Sequence, residues 1–319
     1  MGAYLFIHFK EKTTPDGEQI YFGLSRDGYC WERVNDGKPV LWSVKGEKGV
    51  RDSSIIRAKN GKFYILSTDL SLANNFFGKY EGKWAKVGRE GSKCLMMWES
   101  DDLVHWSEQQ ELEFGDEDFG CLWAPEAVYD ESEDDYLIHW SSSHASNDYG
   151  PKSIFYVRTK DFKTFTKPAV LCSKEDGPII DSSIYEEDGS YYRFLKSEAN
   201  PSAVILEKGD SLTGKYERVK AFDKEMAKLR RGVYEAPTAY KLPDGKWCLM
   251  LDFYGCEKEK MGYVPFIADS LKSGEFIRSD ARFHFPYGFK HGTVLEISDE
   301  EYDRVKESFP NTESGAIRI

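Results

Sequence analysis

Long apolar runs are missing from this sequence of 319 residues. A membrane-spanning helix needs about 20 consecutive apolar residues, and no stretch approaches that length. Residues 4–9 are apolar except for His8, but the run is short and no cationic segment precedes it. It therefore predicts a strand rather than a signal peptide. The compartment stays open between the cytoplasm and, if a leader has been removed from the chain, the periplasm or the exterior.

Closely spaced cysteines are also missing. None of the six cysteines belongs to a Cys-x-x-Cys pair, which disfavours a zinc site of the common type. Several lie inside apolar runs, as Cys248 does within residues 247–250. This favours buried free thiols over a structural disulfide.

An excess of positive charge is the third absence. Lysine and arginine total 43 against 55 aspartates and glutamates, which gives a formal net charge of −12. Phosphate binding needs a basic surface, so nucleic acid and anionic membranes are disfavoured as partners. A neutral or cationic ligand fits this composition better. The sequence leaves the oligomeric state unknown.

Aromatic residues and polar turn pairs, by contrast, are abundant. Phenylalanine, tyrosine and tryptophan make up 15% of the chain, and few stretches show the period of a long helix. Many short strands separated by turns are typical of an all-β protein.

A strand–turn–strand segment with an acidic residue near its start recurs along the chain. The clearest copy begins at Asp181 and turns at Asp188-Gly189. Related copies begin near residues 52, 124 and 235, and a weaker one begins at His291. A second recurring segment carries a small polar residue, an aspartate in a tight turn and then an aromatic residue. Its aspartates, which we assign to turn structure, are Asp27, Asp101, Asp161, Asp210 and Asp269.

Two segments that alternate along the chain and occur five times each predict a five-bladed β-propeller. The strand after His291 is followed only by a short helical tail near residues 299–307, so its blade lacks strands. We predict that the N-terminal strands complete this last blade. No linker rich in proline, glycine or serine divides the chain, which predicts one domain over residues 1–319. Longer insertions at 70–97, 107–123 and 141–153 are expected to shape a pocket on one face.

The innermost strands of a propeller start near its axis, so acids at their starts converge. These acids are Asp52, Asp181 and Glu235, with Glu126 offset by two residues from its repeat position. Glycosidic bond cleavage needs one carboxylic acid and one carboxylate, and a third acid can raise a neighbour's pKa. The alternative is that each acid caps a turn.

Other residues are candidates for contact with a sugar, each with a structural alternative. Trp123 either stacks on a sugar or packs under a loop, and Glu126 either contacts substrate or is a surface acid. Trp140 and Phe253 are candidate subsite walls, although core packing is the more frequent role of such residues. His144 either contacts a hydroxyl group or lies in a solvated loop.

Four segments resemble glycoside hydrolase family 43 and occur in the same order. They are Asp52-Ser53-Ser54-Ile55, Trp123-Ala124-Pro125, Ile180-Asp181-Ser182-Ser183-Ile184 and Glu235-Ala236-Pro237. The resemblance covers nearly the whole chain. It implies an inverting hydrolase in which Asp52 is the general base, Glu235 is the general acid, and Asp181 orients the acid and tunes its pKa.

The chain departs from the family pattern at three places. The family usually has Asp-Pro-Ser where this chain has Asp52-Ser53-Ser54, and Glu-Gly-Pro where it has Glu235-Ala236-Pro237. Both segments keep the acid and a small neighbour. After Trp-Ala-Pro the family often has Asp or His, so the role of Glu126 stays open.

The segment at 290–294 resembles the last-blade strand of the same family. This implies that His291 lies near the axis, where the family sometimes has a bound metal or water. A hydrogen-bonding role is the usual one for a single histidine, so we assign no metal ligand and expect no required cofactor.

The resemblance implies release of a terminal pentose, first α-L-arabinofuranose, from side chains of plant polysaccharides or from oligosaccharides. A β-xylosidase or β-galactofuranosidase of the same family is the next alternative. Arg51-Asp52 and Tyr234-Glu235-Ala236-Pro237 also faintly resemble motifs of the retaining, fructan-cleaving five-bladed hydrolases. A sugar-binding propeller without catalysis is the remaining alternative.

Overall fold

The structure is a computed structural model that describes residues 2–199, 202–229, 233–254 and 262–312. Its described residues form five four-stranded antiparallel sheets, and each sheet is one blade of a β-propeller. Blade 1 contains β1 (Ala3–His8), β2 (Tyr21–Ser25), β3 (Glu32–Arg33) and β20 (Thr293–Ile297). Blade 2 contains β4 (Val50–Arg57), β5 (Phe63–Asp69), β6 (Cys94–Ser100) and β7 (Gln110–Glu113).

The remaining three blades follow in chain order. Blade 3 contains β8 (Trp123–Asp130), β9 (Asp135–Ser142), β10 (Ser153–Thr159) and β11 (Ala169–Cys172). Blade 4 contains β12 (Ile179–Glu187), β13 (Ser190–Ser197), β14 (Ala203–Gly209) and β15 (Tyr216–Arg218). Blade 5 contains β16 (Val233–Lys241), β17 (Trp247–Tyr254), β18 (Gly262–Ala268) and β19 (Ile277–Arg278). The α-helices among the described residues are α1 (Trp84–Glu90), α2 (Lys220–Met226) and α3 (Asp299–Ser308).

Strands from both ends of the chain close the ring in blade 1. Strand β20 pairs with β1 in antiparallel register, with Thr293 opposite Ile7 and Val294 opposite Phe6. Helix α3 follows β20 directly and starts with a capping box at Ser298, which satisfies free N–H groups at the helix start. The predictions of a five-bladed all-β propeller and of closure by the N-terminal strands are confirmed.

The two middle strands of each blade are largely buried on both faces because each blade packs between two neighbours. In β5, Phe63 and Ile65 join the core shared with blade 1, whereas Tyr64 and Leu66 join the core shared with blade 3. Successive side chains of a strand point to opposite faces, so both sets must be apolar. This explains why the sequence shows continuous apolar runs rather than simple alternation.

Aspartates fix the turns at the ends of several blades. Oδ1 of Asp27 accepts hydrogen bonds from the N–H groups of Tyr29 and Cys30, both at 2.8 Å. The sequence predicts Asp101 for this role in blade 2, but Asp102 fills it, because its Oδ1 accepts from the N–H groups two and three residues on. Asp101 instead lies 3.1 Å from Lys62 at the surface.

Cysteine and membrane predictions can be compared with the described part of the chain. Its free thiols are Cys30, Cys94, Cys121, Cys172 and Cys248, of which the last three are buried. Cys256 lies outside the described residues. Within the same ranges, no helix has both the length and the apolar character needed to span a membrane.

Candidate active site

The innermost strands of blades 2 to 5 share a β-bulge near their first residues. Each bulge shifts the register with the second strand of its blade, and one residue in it has a positive φ. These residues are Asp52 (51°), Ala124 (50°), Asp181 (52°) and Ala236 (53°). A positive φ is strained for a residue with a Cβ. Bulges of this kind re-aim side chains and are frequent beside active sites.

The bulge shows that the three predicted catalytic acids are not at one repeat position. Asp52 and Asp181 occupy the bulge itself, whereas Glu235 precedes it by one residue. The residues that precede the bulge in the other blades are Arg51, Trp123 and Ile180, and all three line the same cavity as Glu235. Two successive positions per blade therefore supply the cavity wall.

Hydrogen bonds between neighbouring blades hold the bulges in place. The N–H group of Ala124 donates to Oγ1 of Thr68 at 2.8 Å, and that hydroxyl donates to Oδ2 of Asp52 at 3.0 Å. The N–H group of Asp181 donates to Oγ of Ser141 at 3.0 Å. In both bonds donated by a backbone N–H group, the acceptor lies in the preceding blade. The positions of the bulges thus depend on the packing of neighbouring blades.

The acids open into a cavity of about 640 Å³ on the axis. This volume is in the range of small-molecule sites. Of the residues predicted from the sequence, five line it: Asp52, Trp123, Asp181, Glu235 and His291. The structure therefore brings the three predicted acids together with one aromatic side chain and one imidazole.

The environment of Glu235 favours the protonated form of its carboxyl group. Burial raises its pKa to about 8, and the negative charges of Asp181 and Asp252 act in the same direction. The hydroxyl of Tyr254 donates to Oε2 at 3.0 Å, which opposes the rise in pKa only in part. A carboxyl group in this state is a proton donor at neutral pH.

Asp52 is in the opposite electrostatic state. Burial alone would raise its pKa, but the imidazole of His291, Arg51 and the Thr68 hydroxyl together hold the pKa below its usual value. Nδ1 of His291 lies 3.3 Å from Oδ1 of Asp52. Asp52 is therefore an ionised carboxylate at neutral pH.

His291 is a cation in this site. Burial lowers its pKa, but the negative charges of Asp181 and Asp52 outweigh burial and raise the pKa to about 9. A protonated imidazole donates from both ring nitrogens. His291 is therefore placed as a charged hydrogen-bonding partner of Asp52.

Asp181 connects the other two acids. Its Oδ2 accepts a hydrogen bond from the N–H group of Ala236 at 3.1 Å, next to Glu235 in the chain. Burial and the charge of Asp52 raise its pKa above the usual value, although His291 and the Ala236 N–H group act in the opposite direction. Its charge in turn raises the pKa of Glu235.

Two predicted substrate contacts are wrong because the side chains have no accessible surface. Trp140 is fully buried, with its ring 5.4 Å from that of Phe114. Phe253 is also fully buried, with its ring 4.7 Å from that of Tyr234. Both belong to the cores between blades.

Glu126 and His144 are not among the residues that line this cavity, and their assignment as substrate-binding residues stays a prediction. Glu126 occupies the position that Ser54, Ser183 and Thr238 occupy in other blades, two residues past the bulge. Oγ of Ser183 donates to its Oε1 at 2.6 Å, and burial raises its pKa to about 8. Nδ1 of His144 lies 2.9 Å from Oγ of Ser146.

His144 also lies near two acids outside the cavity. Ligand atoms of Asp116, Asp118 and His144 are within 4.8 Å of one another. Both aspartates are exposed, and exposed acids commonly lie this close without an ion.

Sequence reasoning missed the polar residues on the second strands that face the bulges. Thr68, Ser141, Lys196 and Asp252 are paired across their blades with the four residues that precede a bulge. Lys196 and Asp252 are almost fully buried. Asp252 is the one charged residue in β17, and this was the signal available for it.

Alternating charges continue from Asp252 around the cavity. Nζ of Lys290 lies 2.8 Å from Oδ2 of Asp252 and 3.2 Å from Oε2 of Glu11. Nη2 of Arg51 lies 3.5 Å from Oε1 of Glu11, and Nη1 lies 2.8 Å from Oε1 of Glu18. Buried charges need partners of this kind. Arg51, one residue before Asp52, is thereby fixed at the cavity wall.

An ionised and a protonated carboxyl group in one cavity are the two groups that hydrolysis of a glycosidic bond needs. Comparison with known proteins points to the glycoside hydrolases as the class of protein. A family model described as a probable glycosyl hydrolase domain, related to glycoside hydrolase family 43, matches residues 1–303. The chain belongs to this family.

Individual relatives support the same class. The chain is 27% identical to an α-L-arabinofuranosidase of Bifidobacterium longum subsp. longum over an alignment of 331 positions. That alignment covers 94% of this chain but 29% of the relative, so the chain spans less than a third of the relative's length.

Solved structures share the fold. The family-43 protein BlXynB of Bacillus licheniformis superposes with a TM-score of 0.59 at 14% identity, over 93% of this chain and 55% of that one. An α-L-arabinofuranosidase of Lactobacillus brevis superposes with a TM-score of 0.56 at 13% identity, over 82% of each chain.

Proposed function

We propose that the protein releases terminal α-L-arabinofuranose from a glycan by hydrolysis with inversion. The observation that carries the reaction type is the opposite state of two acids in one cavity: Asp52 ionised beside His291, and Glu235 protonated by burial. The sugar is inferred from the α-L-arabinofuranosidase of B. longum, which aligns with 94% of this chain.

Glu235 and Asp52 each transfer one proton in this mechanism. Glu235 donates its proton to the glycosidic oxygen while the bond to the anomeric carbon breaks. Asp52 accepts a proton from a water molecule, whose oxygen attacks the anomeric carbon from the opposite face. The proton lost by Glu235 and the proton gained by Asp52 balance, and solvent restores both groups.

The neighbouring groups hold the two acids in their starting states. Asp181 raises the pKa of Glu235 through its negative charge and is fixed by the Ala236 N–H group. His291 and Thr68 stabilise the charged form of Asp52. No step in this scheme needs a metal ion.

A panel of nitrophenyl glycosides tests the substrate. It contains the α-L-arabinofuranoside, β-xylopyranoside, β-galactofuranoside and a fructoside, each assayed with wild type and with Asp52→Asn. Asp101→Asn is the matched control, because Asp101 is an exposed acid on a turn. We expect the arabinofuranoside to be cleaved fastest and Asp52→Asn to be inactive. If another glycoside is cleaved fastest, its sugar is the substrate instead of arabinofuranose. Full activity of Asp52→Asn would show that Asp52 is not the general base.

A further inference from the structure

A second cavity of about 570 Å³ adjoins the one that holds the acids. The two cavities share Glu11 and Tyr254 as a common wall. Within the first cavity, the hydroxyl of Tyr254 donates a hydrogen bond to Glu235. A ligand with one sugar unit beside Glu235 therefore reaches the second cavity with its next part.

The lining of this second cavity is positively charged. Its residues are Lys10, Glu11, Lys12, Tyr254, Tyr287, Gly288 and Lys290. The charge of Lys290 is balanced by Asp252 and Glu11, and Lys10 and Lys12 have no further acid among the described residues of the lining. Such a positive patch is notable in a chain with a net charge of −12.

The amino group of Lys10 is held in place within this patch. Its Nζ donates to the carbonyl oxygen of Gly37 at 2.5 Å, and lies 4.1 Å and 4.4 Å from the ring centroids of Tyr287 and Tyr21. Burial lowers its pKa to about 8, and the positive charges of Lys12 and Arg33 act in the same direction, against Asp16. An anion bound here would relieve that repulsion.

We propose that the second cavity is a subsite for a uronic acid unit in the part of the glycan that remains after cleavage. Its carboxylate would bind Lys10 and Lys12, and its ring would lie beside Tyr287. Lysine supplies charge-assisted hydrogen bonds to a carboxylate, and a tyrosine ring packs against a sugar face. The inference rests on the proposed glycan hydrolysis, because the shared wall then places the next sugar of the same ligand in this cavity.

Two matched disaccharides test the proposal. The first contains glucuronic acid, and the second is the same disaccharide with the carboxyl group reduced to an alcohol. Each is measured as an inhibitor of nitrophenyl arabinofuranoside hydrolysis by wild type, Lys12→Gln, Lys10→Gln and the control Lys163→Gln, an exposed lysine on a turn of blade 3. We expect wild type and control to bind the acidic disaccharide about tenfold more tightly than the neutral one.

In Lys12→Gln and Lys10→Gln we expect this ratio to fall toward one. Equal inhibition of wild type by both disaccharides would overturn the proposal, as would an unchanged ratio in both lysine variants. Inhibition by inorganic phosphate as strong as that by the acidic disaccharide would also overturn it, because the site would then select any anion. If wild type does not cleave the arabinofuranoside, the proposed function fails separately, and calorimetric titration with the same two disaccharides still measures the ratio.

Discussion

The N–H group of Ala236 donates to Oδ2 of Asp181 at 3.1 Å, which connects the bulge of blade 5 to the acid of blade 4. Ala236 follows Glu235 directly, so this one hydrogen bond fixes both the position of Asp181 and the start of the strand that carries Glu235. The charge of Asp181 then acts on Glu235 from a defined place. The following predictions test this arrangement.

Replacing Asp181 by Asn should lower the pKa of Glu235. The negative charge of Asp181 raises that pKa, and an amide of nearly the same shape carries no charge. Activity needs protonated Glu235, so the alkaline limb of the kcat/KM profile should move to lower pH in Asp181→Asn. The control Asp101→Asn should leave the alkaline limb in place. An alkaline limb that also stays in place in Asp181→Asn would show that Asp181 does not tune the pKa of Glu235.

Replacing Tyr254 by Phe should have the opposite effect. The Tyr254 hydroxyl donates to Oε2 of Glu235 and stabilises its charged form. Without this hydrogen bond the pKa of Glu235 should rise, and the alkaline limb should move to higher pH. A shift of the two variants in the same direction would contradict the assignment of Glu235 as the titrating acid.

Glu235→Gln should be much more harmful for natural substrates than for aryl glycosides. A nitrophenolate leaves without protonation, whereas a sugar alkoxide needs a proton from the acid. We expect the variant to lose about 10²–10⁴-fold of kcat/KM on an arabinose-containing oligosaccharide and clearly less on the nitrophenyl arabinofuranoside. Equal losses on both substrates would mean that Glu235 is not the acid.

Glu126→Gln should stabilise the fold at alkaline pH. Burial raises the pKa of Glu126 to about 8 in the folded protein, above the usual value of a glutamate near 4.3. The stability that this group contributes is therefore present below about pH 4.3 and is lost as the pH rises through about 8. Urea unfolding at pH 5 and pH 8.5 should show the variant gaining free energy of unfolding relative to wild type at the higher pH. A constant difference between the two proteins would show that Glu126 is already ionised.

Phe6→Ala should weaken closure of the propeller. Phe6 is fully buried in β1, and its ring lies 5.2 Å from that of Phe289 and 5.4 Å from that of Tyr263. Truncation of such a core residue lowers the free energy of unfolding by about 3–5 kcal/mol. Phe77→Ala is the matched control, because Phe77 is 73% exposed, and it should change stability by less than about 0.5 kcal/mol. Similar effects of both substitutions in urea unfolding would contradict the packing described for blade 1.

The repeats in the sequence were enough to predict the five blades, their closure and the three acids at the axis. Asp52 and Asp181 stand at the same repeat position, and the repeat revealed them directly. The one-residue offset of Glu235 was not predictable from the pattern, because it depends on where the bulge inserts its extra residue. The bulge is visible only in the pairing of β16 with β17.

Burial explains the errors among the aromatic candidates. Trp140 and Phe253 lie on second strands that are covered by blades on both sides, and a sequence does not distinguish such a position from a cavity wall. Trp84 lines the cavity and is 46% exposed, but it lies on α1 in an insertion without a repeat partner. Its position depends on tertiary packing, so the repeat pattern gave no signal for it.

Proton NMR of the first sugar released from an α-L-arabinofuranoside tests the central claim most directly. Attack by water activated by Asp52, on the face opposite to the bond that Glu235 protonates, must invert the anomeric centre. We predict that β-L-arabinofuranose appears first and that the α-anomer follows only by mutarotation. Initial appearance of the α-anomer would show retention of configuration and would contradict the roles assigned to Asp52 and Glu235.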